Sequence, residues 1–322
     1  MRRFPAALLC VFCLLAAFTG CAGPAAEEEQ TQTLSVVSTL FPYYDFARTI
    51  GGDRVEVTLL LSPGRESHSY EPTPMDVIHI SEADVFLYNG GSGEYWVDET
   101  LEGLEDSGQI RCRMMDYVDV LEEELVEGME SDHSHEEEED DGHGHEIEYD
   151  EHIWTSPVNA IALSEAVCDA LSEADPEGAE YYEANLLSYQ SQLRELDQAF
   201  RDVVQKARRH ILVFADRFPL LYFCKTYGLS YRAAFPGCSG DTEPSAQTLA
   251  YLIDKVKDEQ IPVVYHLELS SEKISSAICE ATGAKGVEFP SCHNVTKEEF
   301  ENGATYLSLM EANVETLKEG LL

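Results

Sequence analysis

Basic residues are scarce in this chain of 322 residues, because 21 Lys and Arg stand against 61 Asp and Glu and the formal net charge is −40. Proteins that bind nucleic acid neutralise phosphates with clustered Lys and Arg, so this composition argues against a nucleic-acid partner. The charge is also uneven, since residues 122–151 hold sixteen acids and no Lys or Arg. A cation is the partner that such a chain favours.

Long apolar runs are missing as well. The run at residues 4–18, FPAALLCVFCLLAAF, follows two arginines and is shorter than the ~20 residues that span a bilayer, so it predicts a secretion signal. It leads into FTGC, which resembles a bacterial lipobox and predicts lipidation of Cys21. We expect a lipoprotein signal peptide at residues 1–20 and a flexible tether at residues 21–33. The mature chain would be lipid-anchored to the outer face of the bacterial cell membrane; the alternative is an ordinary secreted protein.

Motifs typical of thiolate metal sites and of several hydrolases are absent. The mature part has no C-x-x-C pair, and its remaining cysteines are Cys112, Cys168, Cys224, Cys238, Cys279 and Cys292. An even number permits disulfides outside the cell, although the sequence does not determine their connectivity. H-E-x-x-H, G-x-S-x-G and P-loop motifs do not occur, so the sequence predicts binding and not catalysis.

Short apolar runs alternate with helical stretches in two parts of the chain. Strands are predicted at LSVVST, VEVTLLL and DVFLYNGG in the first part, and at HILVFA, LSYRAAFP, IPVVYHLEL and KGVEFP in the second. Parallel strands need crossover connections, so the predicted fold is α/β, with a mainly parallel sheet flanked by helices in each of two lobes.

One long helix is predicted between the two lobes. Its apolar residues recur every three or four positions, at Tyr182, Leu186, Tyr189, Leu193, Leu196, Phe200, Val203 and Ala207, which places them on one helical face. A rigid link is favoured over a coiled coil. The predicted organisation is an N-terminal lobe at residues 34–175, a linking helix at residues 176–209 and a C-terminal lobe at residues 210–322.

Five histidines lie in the segment DHSHEEEEDDGHGHEIEYDEHIW at residues 132–154. The insert at about residues 122–150 has too few apolar residues to pack a core, so we expect it to be disordered. Its histidines would form a weak auxiliary metal trap, and they are His133, His135, His143 and His145. His152 instead precedes a predicted helix start. In the motif ESHSYEPTP, His68 follows a strand, where open α/β sheets place their ligands.

Several motifs in this order resemble one family. They are the lipobox, HSYEPTP, the acidic insert, EHIWTSP, the long helix, TYGL and TEPSA, and they resemble the zinc- or manganese-binding solute receptors of bacterial ABC metal importers. The resemblance implies that His68 and His152 are metal ligands. It also implies an ABC permease as the partner in the membrane, and we expect the receptor to act as a monomer.

The sequence departs from the family at the remaining ligands. The position of the family's third ligand is Arg217, which cannot coordinate a cation. At the fourth position the loop FPSCHNVT offers His293. The predicted site is therefore His68, His152 and His293, completed by water or by a carboxylate such as Glu243. Should His293 not bind, the other candidates are Glu268 and Asp216.

Two expectations depend on this site. Three imidazoles favour Zn²⁺ over Mn²⁺, which prefers oxygen ligands. Cys238 and Cys292 both lie in loops near the presumed cleft, where a disulfide would hold His293 in place; separate thiols or other pairings are the alternatives. Two functions compete with metal import, namely a secreted zinc-dependent hydrolase and a metal-binding surface adhesin.

Overall fold

The fold is built on two four-stranded sheets. The structure is a computed structural model, and it describes residues 33–66, 70–104, 108–129, 148–237 and 243–322. The first sheet has the order β2-β1-β3-β4 and the second β6-β5-β7-β8. All the strand pairs within these sheets are parallel. The strands are β1 Leu34–Ser38, β2 Val55–Leu59, β3 Val85–Tyr88, β4 Ile110–Arg113, β5 Ile211–Phe218, β6 Ser230–Pro236, β7 Val263–His266 and β8 Lys285–Glu288.

Helices cover the faces of both sheets, as the predicted α/β fold requires. Side chains cap several of them: Ser156, which precedes α4, accepts a hydrogen bond from the backbone N of Asn159 at 3.5 Å. The helices are α1 Phe41–Gly51, α2 Pro74–Glu82, α3 Tyr95–Glu102, α4 Pro157–Ala174, α5 Ala179–Lys206, α6 Leu221–Tyr227, α7 Ala246–Asp258, α8 Lys273–Thr282, α9 Lys297–Glu301 and α10 Tyr306–Leu321. The predicted fold class is confirmed.

The long helix α5 lies between the two sheets in sequence and has 28 residues, which corresponds to a length of about 42 Å. Its predicted apolar face is buried from Tyr182 to Val203. The face packs against α1, α4 and α10 of the same chain; the rings of Phe46 and Tyr189, for instance, are 5.8 Å apart. The apolar spacing therefore predicts correctly that α5 packs within its own chain and not in a coiled coil. The domain boundaries at residues 175 and 209 stay a prediction.

The two ends of the acidic insert meet in a short antiparallel bridge between Glu122 and Tyr149. The backbone N of Asp150 donates to the carbonyl of Leu121 at 2.9 Å, and the hydroxyl of Tyr222 donates to the carbonyl of Asp150 at 2.7 Å. The second half of the chain thus holds the base of the insert. The predicted signal peptide, Cys21 and the four auxiliary histidines lie outside the described residues. No helix of the described part is long and apolar enough to cross a membrane.

Candidate metal site

His152 occupies the short connection between the insert and α4. Its side chain is buried, and Asp150 Oδ1 accepts hydrogen bonds from its backbone N at 2.8 Å and from its ring Nδ1 at 3.2 Å. Burial by itself lowers the pKa of His152, but the attraction and hydrogen bond of Asp150, together with the nearby Glu151 and Glu123, raise that pKa above its ordinary value. The ring is therefore fixed in orientation beside a carboxylate, as in many metal-binding histidines.

His293 comes to the same place from the loop that follows β8. The centroids of the His293 and His152 rings are 5.4 Å apart, and the His293 ring lies 4.9 Å from the ring of Trp154. Trp154 Nε1 donates to the carbonyl of Ser291 at 2.9 Å, which fastens this loop to the first half of the chain. Two of the three predicted ligands, which come from opposite halves of the sequence, are thus neighbours.

Glu268 shapes the loop that carries His293. Its carboxylate accepts hydrogen bonds from the hydroxyl of Ser291 at 2.6 Å, the backbone N of Ser291 at 2.7 Å and the backbone N of His293 at 3.1 Å. Burial raises the pKa of Glu268 to about 7. Glu268 was predicted only as a reserve ligand, although its place two residues after the buried strand β7 is a signal for a site residue. Here it serves as the anchor of the loop.

A cavity opens between the two sheets beside these histidines. Arg217 lies on its wall, and its Nη2 is 3.0 Å from Glu66 Oε2. The expected pairing of Arg217 with a carboxylate near the cleft is thereby confirmed. Glu243 is exposed and is not among the described residues that line this cavity, which include His152, Asp216, Arg217, Glu268 and His293.

A second cavity adjoins His293 at the carboxyl ends of β1 and β3. Two buried acids line it, Glu94 and Glu151. Burial raises the pKa of Glu94 to about 7 and also raises the pKa of Glu151. Glu151 accepts from the hydroxyl of Ser92 at 2.9 Å and from the backbone N of Gly93 at 2.7 Å. The surroundings of the candidate site are therefore acidic on both sides.

The third predicted ligand, His68, lies outside the described residues, so its position in the site stays a prediction. Among the described residues, no group of three or more His, Cys, Asp and Glu side chains has the geometry to hold a metal ion. Among the described residues, His152 and His293 supply two imidazoles, and the carboxylates of Asp216 and Glu268 line the same cavity. A third donor is needed to complete a site between the two imidazoles.

The predicted Cys238–Cys292 disulfide is wrong for this structure. Cys292 is a free thiol that packs, fully buried, in the same core cluster as Phe289 and Tyr306. Its backbone is left-handed, with φ 62°, and burial raises the pKa of its thiol. Cys238 lies outside the described residues. The loop of His293 is held by Glu268 and Trp154 instead of by a disulfide.

Two parallel-sheet domains linked by a long helix, with histidines from both halves at one cavity, define a two-domain receptor for a metal ion. The chain belongs to the family described as ZnuA, Zinc-uptake complex component A periplasmic, whose model matches residues 36–320.

Curated relatives are similar over most of this chain. The High-affinity zinc uptake system protein ZnuA of Bacillus subtilis is 33% identical over 311 residues, which cover 97% of this chain and 95% of that protein. The Zinc-binding lipoprotein AdcA of Streptococcus pneumoniae is 33% identical over 286 residues, which cover 89% of this chain. This chain spans about half of AdcA, since the match covers 55% of that protein.

Solved structures share the fold. The Zn(II)-bound ZnuA-like domain of Streptococcus pneumoniae AdcA matches with a TM-score of 0.72 and 31% identity, over 89% of this chain and 98% of that domain. The Metal-dependent Lipoprotein YcdH from Bacillus subtilis matches with a TM-score of 0.74 and 30% identity, over 90% of this chain and 100% of that one.

Proposed function

We propose that this protein captures Zn²⁺ outside the cytoplasmic membrane and delivers it to an ABC permease for import. Family membership supports metal capture for uptake. The relatives named for zinc uptake and zinc binding favour zinc as the ion. The net charge of −40 also supports a cation as the substrate, because an acidic surface raises the local concentration of cations.

The proposed ligands are His68, His152 and His293, and the ion would lie between the two halves of the chain. The observation that carries this proposal is the distance of 5.4 Å between the ring centroids of His152 and His293 at the wall of one cavity. Neutral imidazoles are good ligands for zinc. The carboxylate of Asp150 would hold the His152 ring, and Glu268 would hold the backbone of His293.

The experiment is elemental analysis of the purified mature protein, followed by crystallography with anomalous scattering at the zinc edge. One zinc ion per chain, with anomalous density between His68, His152 and His293, is the expected result. Density at another place would overturn the ligand set, and a protein that retains no zinc at stoichiometric concentration would overturn the function.

We also propose that the receptor is a monomer anchored to the outer face of the membrane through a lipid on Cys21. The anchor would keep the receptor near its permease. Mass spectrometry of the protein extracted from its native membrane tests the lipid anchor on Cys21. A mature N-terminus at Cys21 carrying acyl chains is expected, whereas an unmodified Cys21 would contradict it.

The acidic insert would supply weak auxiliary sites through His133, His135, His143 and His145. Imidazoles among many carboxylates attract zinc without requiring an ordered pocket. We propose that these sites raise the zinc concentration around the receptor when zinc is scarce.

A further inference from the structure

Asn294, the residue after His293, crosses from one half of the chain to the other. Its side chain is buried, and Nδ2 donates to two carbonyls of the loop that follows β2, to Ser62 at 3.0 Å and to Arg65 at 2.8 Å. An Asn amide has two N–H donors, so this loop uses both of them. Asn294 Oδ1 accepts from the backbone N of Val295 at 2.8 Å, which fixes the orientation of the amide.

Two further contacts join the same loop to the second half. The backbone N of Gly64 donates to the carbonyl of Val295 at 2.7 Å. Arg217 Nη2 lies 3.0 Å from Glu66 Oε2, and the Arg217 side chain is 15% exposed whereas that of Glu66 is 47% exposed. The guanidinium is largely withdrawn from water, whereas the Glu66 carboxylate is about half exposed, so water partly screens the pair and the buried amide of Asn294 makes the better shielded contact.

We propose that Asn294 and Arg217 are positioning residues, which hold residues 62–66 against the second half and keep the cavity closed with or without the ion. The inference rests on the proposed function. The family resemblance implies a metal ligand at the position of Arg217. Such a ligand would connect the two halves only when an ion is bound. In this chain the guanidinium makes the cross-connection itself, through Glu66.

The latch, meaning Asn294, Arg217 and residues 62–66, has a kinetic consequence. Arg65 and Glu66 line the cavity, so in this proposal zinc leaves when the loop moves away from the second half, and these contacts oppose its release. Breaking them should raise the dissociation rate more than it changes association, because most differences in affinity between related complexes arise in dissociation. The ion pair with Glu66 also offsets the positive charge of Arg217, which would otherwise repel a dication in the same cavity.

The first experiment is stopped-flow release of Zn²⁺ from the mature protein into excess chelator. Asn294→Ala and Arg217→Ala should each raise the dissociation rate at least tenfold, and Arg217→Lys should restore part of the loss because it keeps the charge. The control is Lys225→Ala, which removes an ion pair of 2.6 Å with Glu124 that lies away from the cavity. Variants that lower only the melting temperature, with an unchanged release rate, would overturn the latch.

The second experiment, hydrogen exchange of the metal-free protein, separates the latch from the proposed function. The amides of Gly64 and Arg65, which donate to the carbonyls of Val295 and Ser62, should be protected without zinc, and Asn294→Ala should reduce that protection. This readout does not require the protein to bind zinc, so a failure of zinc binding would leave it intact. Protection that develops only after zinc is added would show that the ion closes the cavity and would overturn the inference.

Discussion

Asp150 holds His152 at two points, because one carboxylate oxygen accepts hydrogen bonds from both the backbone N and the ring Nδ1 of that histidine. A carboxylate oxygen that accepts from Nδ1 places the hydrogen of the neutral ring on Nδ1, so Nε2 is the nitrogen that would coordinate zinc under the proposed function. The pair therefore determines both the direction and the tautomer of the imidazole before any ion arrives.

Asp150→Asn should weaken zinc binding by about 10- to 100-fold, the usual effect of removing a partner that orients a metal ligand. The amide can still accept from the backbone N, so the fold should be retained. Competition with a chromophoric chelator measures the affinity, and Glu102→Gln, at an exposed position, is the control. An affinity within twofold of wild type would show that Asp150 does not act through His152.

His293→Ala should weaken the tight zinc site by at least tenfold, because it removes an imidazole that we propose as a ligand. The same competition titration measures the change. His79→Ala, on the exposed side of α2, should leave the affinity unchanged. An unaltered affinity in His293→Ala would direct attention to Glu268 and Asp216 as the ligands from the second half.

Gly237→Ala should disturb His152 directly. A Cβ at Gly237 would lie 2.9 Å from the carbonyl oxygen of Phe218 and 3.1 Å from both Cε1 and Nδ1 of His152. The carbonyl belongs to the backbone of β5, so we expect the added methyl to press on the imidazole; overpacking of this kind costs about 1–3 kcal/mol of stability.

We expect a zinc affinity at least fivefold weaker in Gly237→Ala, by titration, together with a lower unfolding midpoint in urea. Gly103→Ala is the matched control, because its Cβ would meet nothing closer than 3.5 Å. A variant that is destabilised but binds zinc as tightly as wild type would show that the His152 ring tolerates the displacement.

Glu94→Gln should change how stability depends on pH. Burial raises the pKa of Glu94 from 4.5 to about 7, so between these values the folded protein keeps a proton that the unfolded chain has released. This contribution to the free energy of unfolding is present below about pH 4.5 and is lost as the pH rises to about 7. The loss is on the order of 3 kcal/mol.

Urea unfolding of the metal-free protein at pH 5, 6, 7 and 8 tests this prediction. The stability of Glu94→Gln relative to wild type should increase with pH across this series, because glutamine has no proton to lose. Glu102→Gln, at an exposed position, is the control. A constant difference for Glu94→Gln would mean that Glu94 titrates normally.

Deleting residues 130–146 should remove the weak zinc sites and leave the tight one. The bridge between Glu122 and Tyr149 closes the base of the insert, and His152 stays in place outside the deletion. Calorimetric titration of the wild-type and deleted proteins should differ only in the weak binding phase. Loss of the tight phase would show that the insert supplies a ligand to the main site.

Local pattern was sufficient for most of the fold. The buried face of α5 follows from the three- and four-residue spacing of its apolar residues, since a helix turns once every 3.6 residues. Strand β4 was not predicted, because IRCR has two arginines in four residues and a single fully buried side chain, Cys112. Pairing with β3 makes this segment a strand, and a single sequence window does not contain that pairing.

The sequence by itself determined the two parallel sheets, the long helix and, through motif resemblance, the two histidines that face each other. Tertiary structure alone decided what surrounds them. Asn294 and Ser62 are 232 residues apart in sequence and Arg217 and Glu66 are 151 apart, yet both pairs are in direct contact. Contacts at such separations depend on how the two halves pack, which local propensity does not encode. The same packing buries the free thiol of Cys292 in the core, where a disulfide was predicted.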